Sequence, residues 1–181
     1  MHPDKFLAQY NIDARVNNEV IAIDRVKKEV TVKKTLTGEE YTENYDKLIL
    51  SPGAKAIVPP IKGIEGIKVF TVRNVVDIDK LNKSVKAMGI TNISVIGGGF
   101  IGVEVAENLK EAGHNVTLIE ALPHIMKPFD YDMAQILHKE MYDKGVNLIV
   151  GNKVSAFEED TVVLESGKKI EAEAVVMAIG V

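Results

Sequence analysis

The chain has 181 residues, 46% of them hydrophobic and 27% charged, with a formal net charge of −4 and no cysteine. That size and apolar share suit one large or two small globular domains with a substantial core. The negative balance argues against nucleic acid or an anionic membrane as a main partner, and the missing thiols exclude disulfides, thiolate metal sites and a cysteine nucleophile within this chain. No apolar run approaches the ~18 residues of a membrane span, and the N-terminus lacks a secretion signal, so a cytoplasmic protein is expected.

In chain order, short runs rich in Val, Ile and Leu predict strands at 20–23, 30–32 and 47–50. The basic pairs Lys27-Lys28 and Lys33-Lys34 sit beside the expected turns. Residues 51–66 then break the rhythm with Pro52, Pro59, Pro60 and three glycines, and read as an ordered crossing between two units. A helix follows at 78–88, with Leu81, Val85 and Met88 on one face, Asp77 as N-cap and Gly89 as its stop. A strand at 93–96 leads into a helix at 101–112, carried by Ile101, Val105, Leu109 and Ala112 and closed by Gly113, and then a strand at 116–119. The third helix spans 131–144, between an N-cap at Asp130 and Gly145. Strands at 148–150, 162–164 and 175–179 complete the chain, with Lys168-Lys169 at another turn. Alternating strands and helices indicate an α/β fold with a mostly parallel sheet.

The chain also repeats itself weakly. Residues 18–24 (NEVIAID) resemble 152–158 (NKVSAFE), and each is followed by a short strand, a turn at Gly38 or Gly167, and an apolar segment ending in glycine. Either two β-meanders converged on similar hairpin chemistry or two nucleotide-binding units are related. Only about 17 residues precede the first meander, too few for the ~30-residue βαβ unit that begins such a domain.

The chemistry concentrates between Val95 and Glu120. Gly97, Gly99 and Gly102 form G-x-G-x-x-G between a strand and a helix, and the next strand ends in Glu120, eighteen residues past Gly102. This is the context of a dinucleotide fingerprint in a Rossmann-like unit. Gly97 permits the tight turn, Gly99 lets backbone approach a pyrophosphate, and Gly102 lets helix and strand pack closely, with Ala106 and Gly113 supplying small residues at the same approach. The free N–H groups and dipole of the helix start attract phosphate. Glu120 can accept bonds from ribose hydroxyls, and its charge opposes a 2′-phosphate. No Arg or Lys follows until Lys127, so NAD(H) is preferred over NADP. Glu107 reads as an acid stabilising the helix N-terminus, while Glu104 is open between that role and facing the ligand. His2, His114, His124 and His138 have no metal-ligand spacing and read as exposed or capping residues.

Four stretches look familiar together: 45–54 (YDKLILSPGA), 69–73 (VFTVR), 95–107 (VIGGGFIGVEVAE) and 173–181. The chain resembles the flavin-dependent pyridine nucleotide–disulfide oxidoreductases, and within them the NADH oxidase, NADH peroxidase and coenzyme A-disulfide reductase branch. The resemblance implies an FAD domain with a related NAD domain inserted in it, which would explain the repeat. It implies FAD contacts from Ser51, Pro52, Gly53, Ala54 and Arg73, and NAD contacts from Gly99, Phe100, Ile101, Glu104, Glu120 and Gly180. Phe100 matches a position, often tyrosine, whose ring covers the flavin until nicotinamide displaces it. Phe129 falls where the family often has a polar aromatic near adenosine. The first FAD fingerprint, the redox cysteine, the second FAD motif and the dimerisation domain lie outside the matched part. The expectation is therefore an internal fragment, with residues 1–75 a partial FAD domain and 76–181 the NAD(H) domain.

The parent would pass a hydride from NADH to FAD and on to a disulfide or oxygen species, as a homodimer acting on a small-molecule electron acceptor. The rival readings are a stand-alone NAD-binding module without catalysis and a methyltransferase-type unit using the same loop for another adenosine ligand.

Overall fold

A computed structural model describes residues 3–180, which fall into two compact units, 1–53 and 54–181. His2 lies outside the described residues.

The first unit holds helix α1 (Pro3–Tyr10) and an antiparallel meander of β1 (Asn18–Asp24), β2 (Glu29–Lys34) and β3 (Glu40–Asn44). The first turn is built locally: the Asp24 carboxylate accepts the N–H groups of Val26 and Lys27, both at 2.9 Å. Alternation along β2 buries Val30 and Val32, the unit's only buried hydrophobic residues among those described. The strand expected at 47–50 does not form, and Leu48, Ile49 and Leu50 are exposed. An apolar run becomes a strand only where a neighbour completes its hydrogen bonds, and this segment pairs with no strand among the described residues.

In the second unit residues 54–61 run without regular structure to a single 3₁₀ turn, Ile64–Gly66. Then come β4 (Lys68–Thr71), α2 (Val75–Met88), β5 (Asn92–Ile96), α3 (Phe100–Glu111), β6 (Asn115–Ile119), α4 (Tyr131–Asp143) and β7 (Asn147–Ile149). A second meander of β8 (Val154–Glu158), β9 (Thr161–Leu164) and β10 (Lys169–Glu171) leads into β11 (Ala174–Met177). The main sheet is parallel throughout, in the order β4-β11-β5-β6-β7. The compact units divide after Gly53, and β4, an edge strand of this sheet, belongs to the second.

Side chains alternate across the sheet, so each strand feeds two cores. Val95, Leu118 and Val176 pack with Leu81, Val85, Ala106, Leu109 and Met141 of the helices. Ile96, Ile119, Val175 and Met177 pack with Val154, Phe157, Val162, Leu164 and Ile170 of the meander side. The unit is a three-layer α/β/β arrangement.

Several expectations shift in detail. The N-cap of α2 is Asn74, not Asp77: the Asn74 side chain accepts the Asp77 N–H while Asp77 accepts the Asn74 N–H, a complete capping box. Met88 is exposed, since Leu81 and Val85 alone carry the buried stripe of α2. In α3 the buried face is Gly102, Ala106 and Leu109, and Ile101 points outward. Gly113 is not a close approach: nothing lies within 4 Å of an added Cβ, and its φ of +95° serves the helix stop instead. The repeat is real in backbone terms. Both meanders carry a register shift at the matching place, between Val20 and Ala22 and between Val154 and Ala156.

Candidate functional site

In the strand order, β6 and β7 extend from one side of β5 while β11 lies on the other. The order in which strands are added thus reverses beside β5, and a crevice opens beyond the strand ends there. A cleft of about 610 Å³ fills this place, lined by Gly97 to Ile101 after β5, Glu120 to Leu122 after β6 and Ala178 to Gly180 after β11.

The three fingerprint glycines have separate steric reasons. Gly97 takes φ +108°, and a Cβ there would lie 2.5 Å from the Ala178 carbonyl oxygen. At Gly102 a Cβ would lie 1.8 Å from the Gly97 carbonyl oxygen, so this glycine seats α3 on the turn rather than on the strand. At Gly99 an added Cβ would meet nothing within 4 Å. That residue is the N-cap of α3, and no side chain caps it. The cleft therefore faces an uncapped helix start whose N–H groups are offered to a ligand.

Gly98, which the sequence pattern passes over, is also closely surrounded. A Cβ there would lie 2.6 Å from Ile125 Cγ2 and 3.1 Å from Glu120. Its N–H donates to Glu120 Oε2 at 2.6 Å, and its carbonyl accepts the Met126 N–H at 2.7 Å. The second Glu120 oxygen accepts the Leu122 N–H at 2.8 Å. Glu120 thus ties the end of β6 to the glycine turn and still lines the cleft with its carboxylate.

Of the residues expected to bind NAD, Gly97, Gly99, Phe100, Ile101, Glu120 and Gly180 line this one cleft. Gly102 is buried behind it, and Phe100 is exposed with its ring edge-on to Phe129, 6.2 Å between centroids. Glu104 stands apart: it lines a second cleft of about 490 Å³ between α2 and α3, where its carboxylate accepts from Asn108 at 3.3 Å. Glu107 lies past the first helical turn and pairs with Lys144, which ties α3 to the end of α4. Lys127 and Lys153 both line the main cleft. Sequence spacing could place only Lys127 near Glu120. Lys153 arrives because the 151–152 backbone bonds to the 120–122 turn. His138, expected as an exposed or capping residue, is buried, and its Nε2 accepts the Ile125 N–H at 3.2 Å. Ser51, Pro52 and Gly53 end the first unit, whereas Ala54 and Arg73 belong to the second. All five are exposed, and neither cleft of the second unit is lined by Ala54 or Arg73.

Residues 5–181 match the family model described as pyridine nucleotide-disulphide oxidoreductase. The chain belongs to this family. Among its relatives, a coenzyme A disulfide reductase of Staphylococcus aureus (strain JH9) is 35% identical over 178 residues, 98% of this chain and 40% of that protein. The crystal structure of reduced Bacillus anthracis CoADR-RHD superposes with a TM-score of 0.93 at 43% identity, covering 99% of this chain and 33% of that one. A water-forming NADH oxidase from Lactobacillus brevis bound to NADH superposes at 0.86 with 33% identity, over 98% of this chain and 40% of that one. An FAD-dependent pyridine nucleotide-disulphide oxidoreductase from Desulfovibrio vulgaris gives 0.77 at 30% identity, over 93% of this chain and 44% of that one. The chain spans about 40% of the length of the curated relatives it matches. Family membership accounts for the parallel sheet followed by a meander, and for the second meander in the first unit. No helix among the described residues is long and apolar enough to cross a membrane.

Proposed function

We propose that residues 54–181 bind NADH in the cleft beyond β5, β6 and β11, as the nicotinamide-binding portion of a longer flavin-dependent oxidoreductase. One observation carries this reading: an uncapped α3 start, an unobstructed Gly99 and the Glu120 carboxylate share one crevice at the point where strand order reverses. The Phe100 and Ile101 N–H groups would hold the pyrophosphate, aided by the helix dipole. Glu120, fixed by Gly98 and Leu122, would take the adenosine ribose hydroxyls with its remaining lone pairs. The apolar walls given by Ile96, Ile119, Val154 and Met177 suit adenine and nicotinamide rings. NADH, when bound, supplies a hydride from its dihydronicotinamide ring.

Residues 1–53 are proposed as part of the flavin domain of that longer protein, with Ser51, Pro52, Gly53, Ala54 and Arg73 toward FAD. The support is the family resemblance and a unit that buries only two hydrophobic side chains among its described residues. The proposed parent passes its electrons to a disulfide or oxygen species and works as a homodimer. Coenzyme A disulfide in the Staphylococcus aureus relative and the water-forming reaction of the Lactobacillus brevis oxidase are the two acceptor chemistries that its relatives' names offer.

The test is a fluorescence titration of the 181-residue chain with NADH, NADPH and S-adenosylmethionine. NADH should saturate with a Kd at or below the millimolar range and more tightly than NADPH. Tighter S-adenosylmethionine binding would return the site to a methyltransferase-type reading. In the protein encoded by the whole reading frame, NADH should bleach flavin absorbance; unbleached flavin would leave a binding module without catalysis.

A further inference from the structure

The segment after Glu120 holds the glycine turn through Ile125 and Met126. Ile125 is fully buried with its Cγ2 against Gly98, and the Met126 N–H bonds the Gly98 carbonyl at 2.7 Å. Met126 is itself buried and takes φ +55°, a costly backbone state that its surroundings must enforce. The peptide groups of Ile125 are each held by an imidazole. Its N–H donates to His138 Nε2 at 3.2 Å, and its carbonyl lies 2.8 Å from His124 Nδ1.

The chemistry of these two bonds differs. A backbone N–H only donates, so His138 Nε2 carries no proton, and the ring is neutral with its proton on Nδ1. A carbonyl only accepts, so His124 Nδ1 carries a proton in either charge state. Acid therefore leaves the His124 bond intact and sets two donors face to face at His138.

We propose that neutral His138 is a positioning residue for the dinucleotide cleft: it fixes Ile125 and Met126, through them Gly98, and its protonation loosens the turn and weakens NADH binding. The proposal rests on the NADH reading of that cleft. The titratable neighbours are few. His124 comes from the 121–130 loop, with the Tyr131 ring edge-on to it at 5.8 Å. Lys127 and Asp130 of that loop are exposed, as are Asp132, Lys139, Glu140 and Asp143 of α4. β7, which packs against α4, brings only Asn147, Leu148 and Ile149, and Glu107 of α3 pairs with Lys144 at the end of α4. Burial first, then the charge of His124, holds the His138 imidazole below its ordinary value of 6.5. The clamp is thus complete at neutral pH and is lost as pH falls through that lowered value.

The test follows backbone amides of the ¹⁵N-labelled chain from pH 8 to pH 5, without and with NADH. In the wild type the Gly98, Ile125 and Met126 amides should move together with one midpoint below 6.5. The NADH Kd should rise roughly tenfold across it, the cost of one lost buried acceptor. His138→Gln keeps an acceptor that does not titrate, so it should hold the neutral-pH Kd within about twofold and flatten both profiles. His138→Phe should weaken NADH roughly tenfold at every pH. His124→Asn should retain the acid limb. An acid limb surviving in His138→Gln, amides of the wild type that do not titrate, or full affinity in His138→Phe would each overturn the proposal. If the phenylalanine variant does not fold, the glutamine variant and the wild-type amides decide. Absence of NADH binding at any pH would sink the cofactor reading, while the ligand-free amide titration still decides the part played by His138.

Discussion

An alanine at Gly97 would bring its Cβ within 2.5 Å of a carbonyl oxygen, while one at Gly99 would meet nothing within 4 Å. The two substitutions should therefore separate folding from binding. Gly97→Ala combines a positive φ with a backbone clash and should cost about 2–3 kcal/mol in denaturant unfolding. Gly99→Ala should leave stability within about 0.5 kcal/mol and still weaken NADH at least tenfold, roughly 1.4 kcal/mol, because its methyl would stand where the pyrophosphate approaches. Equal losses of stability in the two variants would contradict the cleft geometry. Glu120→Gln removes one of two acceptors that hold Gly98 and Leu122, placing an NH₂ against a backbone N–H. It should raise the NADH Kd roughly tenfold and narrow the preference over NADPH, measured by paired titrations. At this scale the glycine spacing and the acid at 120 were readable because each answers a local rule. Gly98, Lys153 and His138 were not, because their roles depend on the buried Ile125 and on the 151–152 backbone, which only folding brings near.

Among the elements, α2 shows how a local code is read one turn too late. Periodicity marks the buried stripe, at Leu81 and Val85, but the helix starts where Asn74 and Asp77 satisfy each other's backbone N–H. Asn74→Ala should cost about 1 kcal/mol in denaturant unfolding, with no change in NADH affinity. α3 carries the opposite lesson. Its start is left uncapped, which is unfavourable for the helix alone and useful for an anion. Strand assignment failed where pairing, not composition, decides. The apolar 47–50 run has no neighbour, whereas β4, with Lys68 and Thr71 at its ends, finds β11. At the other end of β11, Glu173 bonds the Thr91 and Asn92 N–H groups at 2.7 and 2.8 Å, joining the starts of β11 and β5. Those N–H groups, Asn92 foremost, hold its carboxyl below the ordinary value of 4.5. The stabilisation is therefore complete above 4.5 and disappears as pH falls through the lowered value. Denaturant midpoints of wild type and Glu173→Gln should differ most near neutrality and converge in acid. A gap independent of pH would show that the charge plays no part.

For the molecule as a whole, the two units differ in self-sufficiency. The second has cores on both faces of its parallel sheet, while the first buries Val30 and Val32 and exposes Val20, Ile21, Ile49 and Leu50. Residues 54–181 produced alone should fold cooperatively and bind NADH within about threefold of the 181-residue chain, whereas 1–53 alone should stay unfolded by circular dichroism. A second unit that fails to fold would mean that its apparent core is incomplete. The α/β class, the glycine turn after β5 and the repeated meander were determined by the sequence itself, because each is written in short-range signals: periodicity, glycine spacing and an acid at a strand end. The extent of each unit, the sorting of Glu104 away from Glu120, and the clamp on Gly98 were decided by tertiary structure alone. Each depends on which distant segments become neighbours, and that is a property of sheet order and loop packing rather than of any one stretch of chain.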